Sequence, residues 1–236
     1  MNESANYSNI KPKLFLLHGA LGTDEQMGAL ALSLSEHFAI RNLLFNGHGA
    51  AQAGAAFNIE DLSQQLLLEM NGEKAWVFGY SMGGYVALTA VSRAPELFDG
   101  VITLGTKFDW SMQTLEKELA QLDPDKILEK VPQLAAMLEK RHGERWPQLV
   151  VETANMMRHL STHHSAIESK WSDMKTRVLM LLGDQDKMVT QQETTLVAEI
   201  LSNSVMKILP ETPHQIERTN TEMLVSEILR FIHPLQ

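Results

Sequence analysis

Short apolar runs alternate with stretches of helical spacing along most of the chain. Lys13–Leu17 (KLFLL) is a brief apolar run ending in His18-Gly19, and its length and flanks predict a buried parallel strand. Asp24–His37 carries Met27, Leu30, Leu34 and Phe38 on one side, which predicts a helix. Ile40–Phe45 predicts a second strand. Ile59–Met70 predicts a helix with Asn58 as its N-cap. Ala75–Phe78 predicts a third strand, running straight into Gly79-Tyr80-Ser81-Met82-Gly83-Gly84. A helix over Tyr85–Arg93 stops before Pro95, and Val101–Leu104 is a fourth strand. The rhythm then changes. From Asp109 to Asp173 the pattern is wholly helical, with breaks near Pro124, Pro132, His142-Gly143 and Pro147. Strands resume at Arg177–Leu182 and Val205–Leu209, separated by a helix over Thr190–Leu201. An amphipathic helix over Thr219–Ile232 closes the chain.

Repeated strand–helix units predict an α/β fold: a mostly parallel six-stranded sheet with helices on both faces. Residues 1–108 and 174–236 then form the core, and 109–173 a helical lid inserted between strands. An insertion there stands over the carboxyl ends of the strands, where open α/β sheets bind ligands.

Composition narrows the partners. The chain has 236 residues, a net charge of -9 and no cysteine. The acidic balance disfavours nucleic acid, and the absence of cysteine removes disulfides, thiolate ligands and a cysteine nucleophile. No apolar run has the length of a membrane span. The polar N-terminus lacks the basic-then-apolar order of a signal peptide, so a cytoplasmic protein is expected.

The chemistry concentrates at strand ends. In Gly79-Tyr80-Ser81-Met82-Gly83 a serine sits between a predicted strand and a predicted helix. A nucleophile that must stand clear of the sheet requires a sharp turn there. Such a turn crowds the residues two before and two after, and both are glycine. The hydroxyl needs a base and the base an orienting carboxylate. His214 follows one strand as the candidate base, and Gly183-Asp184-Gln185-Asp186 follows another. Asp186 is the assigned acid because it reaches further from the sheet. Asp184 is the rival, its other role being a turn carboxylate. The amides of Ala20 and Met82 are the candidate oxyanion donors. His18 reads as structural, and Glu217 as a charge near a helix start. Leu21, Tyr80, Trp146 and Met157 are candidate substrate contacts, with Met137 and Met156 as further pocket lining. His159 and His163 share a helix face and His164 is adjacent, yet no acidic residue at ligand spacing accompanies them, so no metal is expected. Neither a GxxxxGK[ST] nor a GxGxxG motif is present, and no cofactor is called for.

Together these pieces resemble the α/β-hydrolase superfamily over nearly the whole chain: His18-Gly19, Asn46-Gly47-His48-Gly49, Gly79–Gly84, Gly183–Asp186 and Pro213-His214. Three features depart from the family's common pattern. Leu44 stands where an Asp-x-x-Gly-His-Gly motif would place its acid, Pro213 stands where glycine often precedes the histidine, and the short polar segment before Lys13 leads us to expect no opening hairpin. The resemblance implies an acyl-enzyme mechanism in which Ser81 attacks, His214 carries the proton and water releases the acid. The expected substrate is a small-molecule carboxylic ester or thioester. Carbon–carbon bond hydrolysis or lactonase chemistry on the same triad is the alternative, with Arg158 and His159 as polar lid groups. A non-catalytic ligand receptor is the reading from a different class. The sequence leaves the oligomeric state open.

Overall fold

The computed structural model describes residues 11–51 and 57–233. Six strands, β1 (Lys13–Leu17), β2 (Ala39–Leu43), β3 (Ala75–Tyr80), β4 (Phe98–Leu104), β5 (Val178–Gly183) and β6 (Ser204–Leu209), form one sheet in the order β2-β1-β3-β4-β5-β6. Every pairing is parallel. The expected absence of an opening hairpin concerns residues before 11 and lies outside the described residues.

Side chains of a strand alternate between faces, and the core divides accordingly. Leu14, Leu16, Trp76, Phe78, Ile102, Leu104, Leu179 and Leu181 pack on one face. They meet α1 (Gly28–Leu34) and the closing helix, whose buried Leu224, Ile228 and Ile232 recur every four residues. Phe15, Leu17, Val77, Val101, Val178 and Met180 point to the other face. There they meet α2 (Ile59–Met70) and α3 (Met82–Val91), with the intervening side chains fully buried. A buried Leu, Val, Ile or Phe contributes roughly 1.5–3 kcal/mol, so this two-sided apolar core is what holds the strand ends in register.

Local chemistry sets the element ends. The Asn58 side chain accepts from the Asp61 amide and caps α2. The helix expected over Asp24–His37 is shorter and starts as a 3-10 turn at Asp24–Met27. Its apolar stripe is nonetheless buried at Met27, Leu30, Leu34 and Phe38. The third helix begins at Met82, directly after Ser81, earlier than the pattern from Tyr85 predicts. The glycines that mask its start by composition are buried in the turn.

Between β4 and β5 lie α4 (Met112–Leu119), α5 (Pro124–Lys130), α6 (Pro132–His142) and α7 (Trp146–Glu168). Pro124, Pro132 and Pro147 each occupy the first turn of a helix, where the missing N–H is not needed. These helices share a small apolar cluster of their own: Ile127, Ala135, Leu138, Trp146 and Val150. Two further helices, α8 (Gln191–Ile200) and α9 (Thr221–Ile232), follow β5 and β6. Among the described residues no helix is long and apolar enough to cross a membrane.

Candidate active site

Ser81 occupies the bend between β3 and α3 with φ 52° and ψ -117°. A non-glycine residue there stores on the order of 1–3 kcal/mol of strain. The neighbours hold it in place. Its amide donates to Leu104 O at 2.8 Å, and its carbonyl accepts from the Gly84 amide and from Thr106 Oγ1, each at 3.0 Å. The surrounding glycines are required by close approach. A Cβ on Gly79 would lie 2.4 Å from Gly83 and Gly84 backbone atoms, and one on Gly83 would lie 2.6 Å from Leu17 O.

His214 and Asp186 arrive from the ends of β6 and β5. The distance from His214 Nε2 to Ser81 Oγ is 3.3 Å, and from His214 Nδ1 to Asp186 Oδ2 it is 2.7 Å. The other carboxylate oxygen of Asp186 accepts from the amides of Met188 and Val189. Burial by itself would raise the Asp186 carboxyl. The hydrogen bond and charge of His214, with the two amides, outweigh it and hold Asp186 below its ordinary value. Asp184 is exposed and faces elsewhere, accepting from the Thr212 amide at 3.1 Å. It braces the loop that carries His214.

A cavity of about 390 Å³ opens over this group, within the usual range for small-molecule sites of about 300–1,000 Å³. Ala20, Leu21, Tyr80, Ser81, Met82, Met137, Met156, Met157 and His214 all line it. Tyr80 also lies against the His214 ring, with centroids 5.5 Å apart. Among the described residues, the amides of Ala20 and Met82 donate to no protein acceptor. Trp146 is a correction: it packs among Ile127, Leu138 and Val150 and is not part of the lining, because its large apolar ring completes the core of the helical segment.

Sequence reasoning missed several residues here. Lys107 and Glu118 line the cavity and pair with each other at 3.3 Å, both largely buried. Arg141 lines it too and pairs with Glu217 at 3.1 Å. Glu217 also accepts from Gln26, so it is a cross-link between elements and more than a helix-end charge. Thr106 and Lys107 follow the end of β4, the same positional signal that flags the other strand ends. Arg141 carries no such signal, because its helix reaches the site only through packing.

The remaining histidines separate clearly. His18 Nε2 accepts from the Phe45 amide and its Nδ1–H donates to Gly19 O, so the ring is neutral and structural. Burial, against the Gly19 bond that favours the charged form, lowers its pKa to about 4. His159 stacks on His163 with centroids 4.0 Å apart and reaches Glu60 on α2 at 3.2 Å. That carboxylate is 99 residues away, which is why no ligand spacing reveals it. Among the described residues no group of three or more metal-ligating side chains is arranged to hold an ion.

The profile of the serine aminopeptidase family S33 matches residues 8–220. The chain belongs to this family. Its members and the structural neighbours share the α/β-hydrolase fold, and the chain is an enzyme of that superfamily. A pimeloyl-[acyl-carrier protein] methyl ester esterase of Pectobacterium carotovorum is 22% identical over 92% of this chain and 93% of its own length. A Haemophilus influenzae protein, named provisionally as an esterase/lipase, is 30% identical over 39% of this chain and only 33% of its own length. Among solved structures, the 2-hydroxy-6-oxo-6-phenylhexa-2,4-dienoate hydrolase of Rhodococcus sp. strain RHA1 superposes with a TM-score of 0.74 at 20% identity, covering 94% of this chain and 90% of that one. At that identity the likeness concerns the fold of this S33-family hydrolase.

Proposed function

We propose that this hydrolase cleaves a carboxylic ester or thioester of a small to medium acyl substrate through an acyl-enzyme. The observation that carries the reading is the continuous line from Ser81 Oγ through His214 to Asp186 at the wall of an apolar cavity. In this reading Ser81 Oγ attacks the acyl carbon as His214 Nε2 takes its proton. The carbonyl oxygen becomes an oxyanion held by the amides of Ala20 and Met82. His214 then protonates the departing alcohol or thiol. Water, deprotonated by the same nitrogen, releases the acid and frees Ser81. Asp186 stays ionised throughout and holds the imidazole in the tautomer that presents a bare Nε2 to the serine. The route uses only groups of this chain and water.

Residues 109–173 act as the lid, and Leu21, Met156 and Met157 seat the acyl chain. The partner is a small molecule, and the site of action is the cytoplasm. The carbon–carbon alternative draws on the fold shared with the Rhodococcus hydrolase. It rested on Arg158 and His159 as lid polar groups, and neither lines the cavity. The cavity cations Lys107 and Arg141 already have carboxylate partners, which favours a neutral acyl group over an anionic one.

Hydrolysis of p-nitrophenyl butyrate by the wild type and by Ser81→Ala tests the reading. Loss of Ser81 is expected to lower kcat/KM by at least about 1,000-fold. Equal rates in the two proteins would refute it. Turnover of a diketone with no action on esters would favour the alternative, and tight ligand binding unchanged in Ser81→Ala would favour the receptor.

A further inference from the structure

The loop that supplies the Ala20 amide contains a local conflict. The Gly22 amide donates to Gly19 O at 3.1 Å, closing a tight turn with Ala20 and Leu21 at its centre. Leu21 has φ 56°. A third turn position with positive φ is one that glycine or asparagine ordinarily fills, because a side chain there crowds the backbone. Leucine therefore needs an external constraint to hold this geometry.

That constraint comes from the helical segment. His142, the last residue of α6, is buried and bridges two loops. Its Nδ1 accepts from the Gly49 amide at 2.9 Å, so the proton lies on Nε2, which donates to Leu21 O at 3.1 Å. Gly49 itself has φ 52° and belongs to the loop after β2. One imidazole thus ties the turn bearing the oxyanion donor to the neighbouring loop and to the helices above the cavity. Only the neutral ring serves both partners. Burial, with the charges of Arg141 and Arg145, disfavours protonation, against the Leu21 bond that favours it. His48 faces the same ring at 5.9 Å between centroids, and His18 lies beyond it.

We infer that His142 is a positioning residue for hydrolysis: it holds the strained Leu21 turn so that the Ala20 amide points at the developing oxyanion. The inference rests on the serine-hydrolase reading above. It also couples catalysis to the seating of α6, because the group that orients the donor belongs to the helical segment and not to the sheet.

The test is the rate at which a fluorophosphonate labels Ser81. Phosphonylation builds negative charge on an oxygen in the same place and does not depend on the natural substrate. His142→Ala should label at least tenfold more slowly than wild type, and on p-nitrophenyl butyrate it should lose kcat with KM changed less than threefold. His142→Gln carries an amide N–H and a carbonyl at similar reach, so it should recover labelling to within threefold. If His142→Ala does not fold, His142→Asn replaces it. That side chain is too short for both partners and should label at least fivefold more slowly. A folded Ala or Asn variant that labels like wild type overturns the inference alone. A wild type that is not labelled overturns the serine-hydrolase reading, and this inference with it.

Discussion

At the scale of single residues, the two carboxylates after β5 make the sharpest contrast. Asp186 and Asp184 are two positions apart, yet one meets His214 Nδ1 and the other a backbone amide. Asp186→Asn is expected to preserve the fold and lower kcat by about 10,000-fold, because the amide stabilises the wrong imidazole tautomer. Asp184→Ala removes one acceptor for the Thr212 amide and should cost about 1 kcal/mol of stability, with kcat within about tenfold of wild type. Steady-state kinetics and thermal melts of the two variants check both outcomes, and a reversed order would reassign the acid. The sequence motif narrows the acid to these two residues. The preference for the further one follows from reach alone, since the loop must cross from β5 to the histidine after β6.

At the scale of elements, the β3–α3 turn is where local sequence and tertiary packing meet. Gly79, Gly83 and Gly84 are legible as a tight bend from their spacing around Ser81. Gly79 is needed because the turn folds Gly83 and Gly84 back onto it, whereas for the other two the reason is non-local: Gly83 abuts Leu17 O of β1, and Gly84 abuts Thr106 Oγ1 beyond β4. Gly79→Ala should destabilise by at least about 1–3 kcal/mol, since its new methyl would meet backbone that cannot rotate away. A denaturant melt reads this directly. An unchanged midpoint with full activity would mean the turn is looser than its contacts imply. The helical segment teaches the opposite lesson. Its prolines and spacing predict helices well, but an amphipathic helix does not announce which face meets a cavity. Trp146 therefore looks like a pocket residue in sequence and packs as core, while Arg141 goes unnoticed.

At the scale of the whole molecule, buried neutral histidines join the loops after β1 and β2 to the helices between β4 and β5. His18, His48 and His142 all have pKa values lowered, with burial the leading cause. A histidine whose folded pKa is depressed binds its proton more readily when unfolded. Its stabilising contribution is complete above about pH 6.5 and is lost as pH falls toward the folded value. For His18 that window runs from 6.5 to about 4, and the loss is on the order of 3 kcal/mol. Melting temperature should fall steeply across this window. His18→Gln, which cannot titrate, should flatten the slope even if its stability at neutral pH is lower. An unaltered slope would remove His18 as a source.

Sequence alone determined the fold class, the order of strands and helices, and the placement of Ser81, Asp186 and His214 at strand ends. Those features follow from short apolar runs, helical spacing and turn chemistry, all of which act over a few residues. Tertiary structure alone decided which cavity residues are paired, that His159 meets Glu60, and that His142 reaches both Leu21 and Gly49. Each of these depends on where side chains from distant segments come to rest when apolar faces close. The physical reason is that backbone geometry repeats locally, whereas burial and polar pairing are settled between elements whose separation along the chain carries no periodic trace.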